Sequence, residues 1–360
     1  MRVVVAPDCF AGTLSAAQAA EAIADGWRTT RPADELVLLP MSDGGPGFLD
    51  ALPGTLVTAL VEDPLARPAL ASFRLDGRTA YVESAQACGL HLLEPEERDP
   101  AVTTTYGVGQ LVIAAVEAGA GRVVLGLGGS ATNDGGAGLL AALGVRREDA
   151  DGARLPPGGQ ALARAARLVG RPRPVELVAA TDVDNPLLGP HGATRVFGPQ
   201  KGTADLDALE AALSWWADLL EGHLGLTVRD APGAGAAGGL GFAVLAAGGE
   251  RVSGVQVVAE AIGLATAVQG ADLVLTGEGA FDVSSLRGKV VSGVAAAAQQ
   301  EGVPCVVLAG QVSVGRRQAA AAGVEAAYSL EEEVGPERAL EEAGEALATL
   351  AARVAGTWSV

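Results

Sequence analysis

Five segments of the sequence combine a carboxylate with small residues, the composition that a phosphate and metal site requires. They are Asp8-Cys9-Phe10-Ala11-Gly12, Ser42-Asp43-Gly44-Gly45, the run Gly128-Gly129-Ser130-Ala131-Thr132-Asn133-Asp134-Gly135-Gly136, Asp182-Val183-Asp184-Asn185, and Gly277-Glu278-Gly279-Ala280-Phe281-Asp282. Glycine lets a ligand approach the backbone, and amides exposed at a helix N-terminus bind phosphate. Asp and Gly are also ordinary turn residues. Their recurrence at the ends of five predicted strands is what points to a polyanion site, because ligands of open α/β sheets sit outside the carboxyl ends of the strands. Carboxylates repel a phosphate unless a cation bridges them, and Mg²⁺ does so through one or two carboxylates plus phosphate oxygens. Asp182 and Asp184, two apart, would face the same way on an extended segment. They are the expected Mg²⁺ ligands or the base toward a substrate hydroxyl, with helix capping as the alternative.

Of the 25 basic residues only Lys201 and Lys289 are lysines, and both lie in glycine-flanked loops, Gly198-Pro199-Gln200-Lys201-Gly202 and Leu286-Arg287-Gly288-Lys289. A compact ammonium suits a phosphoryl group in transfer. Chance retention of two surface lysines in an arginine-rich chain is the competing explanation. Gly233-Ala234-Gly235-Ala236-Ala237-Gly238 matches G-x-G-x-x-G, but Pro232 precedes it, so it reads as a second glycine-rich anion or packing loop and not as a nicotinamide site. The sequence contains no G-x-x-x-x-G-K-[ST] and no protein-kinase catalytic loop. His91, His191 and His223 lack metal spacing.

The net charge of -18 argues against a nucleic-acid partner, which would need clustered Lys and Arg. No apolar run reaches the roughly 18 residues of a membrane span, and the first residues carry no secretory leader pattern, so a cytoplasmic protein is expected. Cys9, Cys88 and Cys305 are odd in number and form no C-x-x-C pair, which fits reduced thiols. The sequence leaves the oligomeric state open, a homodimer included.

The elements that must position these residues follow from periodicity. Strands are expected at residues 2–6, 35–39, 122–127, 175–181, 272–276 and 304–309, alternating with Ala-rich helices, which is the pattern of an α/β fold with mainly parallel sheets. Ser15 and Gln18 form a capping-box pattern for a helix over residues 16–27. The Asp76-Gly77 turn predicts an antiparallel hairpin, and residues 336–355 are expected to form an acidic surface helix. At 360 residues the chain exceeds the roughly 250–300 at which single cores stop growing, so two domains are expected. The expected limits are residues 1–65 and 265–360 for a Rossmann-like parallel-sheet domain built from both chain ends, and 66–264 for an inserted α/β domain carrying the glycine-rich phosphate loops.

Taken together, Asp8-x-Phe10-x-Gly12, Ser42-Asp43-Gly44-Gly45, Thr103-Thr104-Thr105-Tyr106-Gly107, the Gly128–Gly138 loop, Asp182–Gly189, Phe197–Gly202, Gly233–Gly241, Thr276–Asp282 and Arg287-Gly288-Lys289 resemble the bacterial glycerate kinase family of the type 1 class. The resemblance implies ATP and Mg²⁺ as cofactors, D-glycerate as acceptor, phosphoglycerate as product with the 2-phosphate favoured, and two α/β domains. Lys289, Asp182, Asp184 and Asp282 are the expected catalytic residues. Asp8, Asp43, Gly44, Gly45, Gly128, Gly129, Ser130, Thr132, Asn133, Asp134, Asn185, Lys201, Gly235, Gly238 and Glu278 are the expected substrate and phosphate contacts. The sequence departs from the family pattern at Cys9 (Ser), Ala11 (Lys), Pro46 (Glu) and Ala280 (Arg). Those departures keep open a divergent paralogue that binds or senses glycerate or another small hydroxy acid.

Overall fold

The computed structural model describes residues 1–10, 12–286 and 288–358. The departure at Ala11, and Arg287 of the Arg287-Gly288-Lys289 motif, lie outside the described residues. The chain forms two compact units: Met1–Asp43, Asp50–Leu52 and Ser253–Val360 in the first, Gly44–Leu49 and Pro53–Val252 in the second.

In the first unit five strands lie in the order Ala326–Ser329, Cys305–Val312, Leu273–Phe281, Arg2–Val5, Glu35–Leu38, all parallel. Val3, Val4 and Val5 are fully buried, as central strands covered on both faces must be. Ser15 caps the helix Ala16–Thr30 as expected: Gln18 N donates to Ser15 Oγ (3.2 Å) and Ser15 N to Gln18 Oε1 (2.9 Å). That helix buries Ile23 and Trp27 against Val3, Leu275 and Leu308. The expected acidic surface helix at the C-terminus is corrected. Residues there form two helices, Pro336–Glu341 and Ala343–Thr357, and the second buries Leu347, Leu350 and Val354 in the same core. The two long helices cross so closely that a Cβ on Gly26 would lie 1.9 Å from Ala348 O.

The second unit holds a six-stranded sheet in the order Glu250–Val252, Glu176–Ala180, Arg122–Gly126, Thr79–Glu83, Pro68–Asp76, Thr55–Glu62. The first four strands are parallel; Thr79–Glu83 and Pro68–Asp76 form the expected antiparallel hairpin, and Thr55–Glu62 adds a second antiparallel pairing at the edge. Helices Tyr106–Glu117, Leu206–Leu224 and Ala236–Ala246 supply Leu111, Trp216 and Phe242 to its core.

One further strand limit is corrected. Gly277–Phe281, expected as a loop, continues the strand Leu273–Phe281, paired in parallel with Cys305–Val312 through Glu278↔Ala309 and Ala280↔Gln311. Ladder pairing overrides the glycine-rich composition here, and the glycine is what permits it: a Cβ on Gly277 would lie 2.1 Å from Leu308 O.

Candidate functional site

Parallel pairing brings the carboxyl ends of neighbouring strands to one side, and in each unit the acid and glycine segments follow those ends. In the first unit Asp8 follows Arg2–Val5, Asp43 follows Glu35–Leu38, and Glu278 lies in the last part of Leu273–Phe281. The segment is tied down by its backbone. Asp8 N donates to Gly277 O (2.8 Å), Met41 N to Pro7 O (2.9 Å), and Thr276 Oγ1 to Ala6 O (2.8 Å).

The charge of Asp43 acts on both of the other carboxylates. Burial, and then the charge of Asp43, push the Asp8 carboxyl up to about 7; Cys9 N–H, 2.7 Å from Asp8 Oδ1, opposes this, and the charge of Glu278 adds to the rise. Glu278 is 8% exposed and also raised, chiefly by burial, with Ser285 and Lys289 pulling it back. Its Oε1 is buried with no hydrogen-bond partner among the described residues. Burial and the neighbouring Asp8 charge push the Cys9 thiol up to about 12, so it stays protonated at neutral pH.

Asp282, one of the expected catalytic residues, stands in the turn that follows the strand. Its Oδ1 accepts from Ser284 N (2.6 Å) and Ser285 N (3.3 Å), which closes the turn after the strand and holds its carboxyl below the usual range. Lys289 stands at the N-cap of the helix Val290–Gln300, where its charge lowers both Glu278 and Asp282.

In the second unit the run Gly128–Gly136 connects Arg122–Gly126 to the helix Ala137–Ala142. Gly129, Gly135 and Gly136 have left-handed φ of 64°, 59° and 66°, and Gly129 forms an exposed crest. The loop is held from behind. Asp134, fully buried, accepts from Thr105 N (2.9 Å), Thr105 Oγ1 (3.0 Å to Oδ2), Thr104 Oγ1 (3.4 Å), Gly136 N (3.0 Å) and Gly138 N (3.1 Å). Thr103 Oγ1 donates to Ala131 O (2.9 Å). Asp134 is thereby the loop's organiser, and its oxygens are occupied inside the protein.

Lys201 is 2% exposed and its ammonium points into the same loop, donating to Thr132 O (2.7 Å) and Ser130 Oγ (3.1 Å). Burial pushes it down to about 8, against the opposing charge of Asp134. A buried cation therefore stands beneath the crest instead of on it. Asn133 Nδ2 donates to Thr194 Oγ1 (3.0 Å), while Asn133 Oδ1 and Thr132 Oγ1 are buried without partners among the described residues.

The second glycine-rich segment is a packing partner of the first. Gly135 N donates to Gly238 O (3.0 Å), and a Cβ on Gly238, at φ 68°, would fall 1.9 Å from Thr132 O. Gly235 N donates to Asn185 O (2.9 Å), and a Cβ on Gly235 would fall 2.2 Å from Pro186 O. Asn185 Nδ2 closes its own loop on His191 O (2.7 Å). Gly44 and Gly45 pack on the other side of the crest, where a Cβ on Gly128 would lie 2.5 Å from Gly45 Cα. Pro46 lies beside Gly129, whose Cβ would come 2.8 Å from Pro46 Cγ.

Asp182 and Asp184, expected as ligands of one ion, differ in their surroundings. Asp184 is 77% exposed and its Oδ1 pairs with Arg251 at 2.7 Å, while Asp182 is half-buried. Among the described residues no group of three or more His, Cys, Asp and Glu is arranged to hold a metal ion. Mg²⁺ carried by a nucleotide needs only one or two protein carboxylates, and the hard oxygens of Asp182 suit it. The residues that sequence reasoning left without a role are Thr103, Thr104 and Thr105. Three consecutive threonines immediately before a helix were the available signal, and all three are buried.

The family model described as "Glycerate kinase family" matches residues 3–359. A glycerate kinase of Bacillus subtilis (strain 168) is 46% identical over 92% of this chain and 90% of its own length. The glycerate 2-kinase of Escherichia coli (strain K12) is 40% identical over 93% and 92%. A crystal structure described as that of a "putative glycerate kinase 2" from Salmonella typhimurium LT2 superposes with a TM-score of 0.85 at 37% identity, covering 99% of this chain and 98% of that one.

Proposed function

The chain belongs to the glycerate kinase family, and from that premise we propose that it transfers the γ-phosphoryl group of ATP to D-glycerate, giving 2-phosphoglycerate, in the cytoplasm. The observation that carries the proposal is the loop Gly128–Gly136. Gly129, in the left-handed region, is exposed at its crest, while the buried Gly135 and Gly136, a buried ammonium and the Asp134 network fix it from behind. Such a loop binds phosphate oxygens through backbone N–H groups, and it does so preorganised.

Phosphoryl transfer leaves little covalent chemistry to the protein, so positioning and charge carry the catalysis. Asp8 is the residue we assign as base toward the glycerate hydroxyl, because a carboxyl that titrates near neutrality matches the operating pH. That reassigns the role first given to Asp182 or Asp184. Lys289 meets the charge of the transferred group, and Asp43 holds the acceptor. Lys201 acts on phosphate through the loop it supports. Mg²⁺ would be held by Asp182 together with phosphate oxygens, and it would supply neutralisation of the phosphate charge.

Lys289→Met is expected to lower kcat about 10²-fold or more with an unchanged melting temperature, since the side chain stands at a surface helix end; a folded variant with near wild-type turnover contradicts the role. The proposal as a whole is tested by ATP consumption across small hydroxy acids, with the position of the product phosphate read by NMR. The second reading, a protein that binds glycerate without turning it over, is favoured by Ala280, which is exposed where the family pattern has an arginine.

A further inference from the structure

The strand Thr55–Glu62 is the edge of the second unit's sheet and pairs only with Pro68–Asp76 within it. Monomeric proteins shield such edges with Lys, Pro, bulges or a covering element. Residues 55–61 read Thr-Leu-Val-Thr-Ala-Leu-Val and contain no Lys and no Pro. On the sheet's outer face Leu56, Leu60 and Leu70 are 54%, 71% and 74% exposed, with Leu60 directly opposite Leu70 in the ladder.

The direction of the open hydrogen-bonding groups follows from one contact. Glu62 N donates to Gln110 Oε1 (2.7 Å), a side chain from the neighbouring helix, so the backbone of residue 62 points away from Pro68–Asp76. In an antiparallel ladder N–H and C=O of one residue point to the same side and alternate along the strand. Residues 56, 58 and 60 therefore turn their backbone groups to the open edge as well.

From this we infer that a second copy of the chain adds to this edge, forming a twofold dimer through residues 55–61. Antiparallel pairing centred on Thr58 puts Leu56 opposite Leu60 of the second copy and the reverse, with residues 56, 58 and 60 all in hydrogen-bonded pairs. The pairing continues the stripe Leu70–Leu60 into Leu56 of the second copy and, by symmetry, the reverse, as an isologous interface requires. Charge selects the same place. Each chain carries a net charge of -18, so two copies repel except where they meet along an uncharged surface, and residues 55–61 have no charge. The register sets Glu62 beside Gly54 of the second copy, away from any acid. This inference stands independently of the substrate.

Light scattering during size-exclusion chromatography of the full chain is expected to give twice the 35.9 kDa chain mass. Leu60→Lys places two cations in the stripe, and Thr58→Pro removes only an outward N–H, so each is expected to give the single-chain mass with unchanged circular dichroism and unchanged per-chain turnover. Leu340→Lys, on the first unit and 63% exposed, is expected to leave the dimer intact. A wild-type protein of single-chain mass across a wide concentration range overturns the inference. So does a dimer that survives both edge substitutions, or one that Leu340→Lys dissolves.

Discussion

Asp8→Asn is expected to lower turnover about 10²- to 10⁴-fold and, in the same protein, to raise the melting temperature above pH 7. The two effects have one cause. Burial and the charge of Asp43 hold the folded-state carboxyl at about 7 against an ordinary 3.8. The unfolded chain thus releases this proton first. Stability from the group is complete below the ordinary value, falls as pH rises through the interval, and is lost above about 7. The interval corresponds to about 4 kcal/mol as an upper bound, because one pKa unit is about 1.4 kcal/mol. Asparagine stays neutral and retains an oxygen for Cys9 N–H, so it relieves that cost while losing the base. The rate of the wild-type enzyme should rise as pH passes through about 7. Circular dichroism melts of both proteins at pH 5 and at pH 8, with kcat/KM profiles, check this. A variant with near wild-type rate, or one with no gain in stability at the higher pH, contradicts the assignment.

Asp134→Ala is expected to destabilise the second unit by about 3–5 kcal/mol, the scale of removing one partner from a buried charged network. Thr105 N, Gly136 N and Gly138 N would all lose their acceptor, and each buried donor left unsatisfied costs about 1–3 kcal/mol. The buried ammonium of Lys201 would also lose its nearby anion. Urea unfolding measures the change. A variant within about 0.5 kcal/mol of wild type, the usual range for surface substitutions, would show that the carboxylate is not the loop's organiser.

Local signals were read well from the sequence where the determining residues are close together. Ser15 and Gln18 are three apart and cap the helix as expected, and Asp76-Gly77 turns the hairpin. Reading failed where distant chain segments decide. Gly277–Phe281 looks like a loop until Cys305–Val312 pairs with it. The C-terminal helix looks exposed because its charges are conspicuous, yet its alanines and leucines face the helix Ala16–Thr30.

The same distinction runs through the candidate site. The glycine loop and its flanking acids were legible as composition, and so were the two lysines as exceptions to arginine usage. Their separate tasks were not. Asp134 and Thr105 are 29 residues apart, and Lys201 reaches Thr132 across 69, so nothing local shows that one acid is spent on scaffolding while Asp8 is buried beside other carboxylates. The spacing of Asp182 and Asp184 suggested a shared ion, but Arg251, from the opposite end of the unit's sequence, takes Asp184.

The most direct measurement is a phosphorus NMR time course of the protein with ATP, Mg²⁺ and D-glycerate. ADP and 2-phosphoglycerate are expected to appear in equal amounts, at a rate that rises as pH passes through about 7. If calorimetry shows glycerate bound while no ADP forms beyond background, the chain is a binder of the acid and not a kinase.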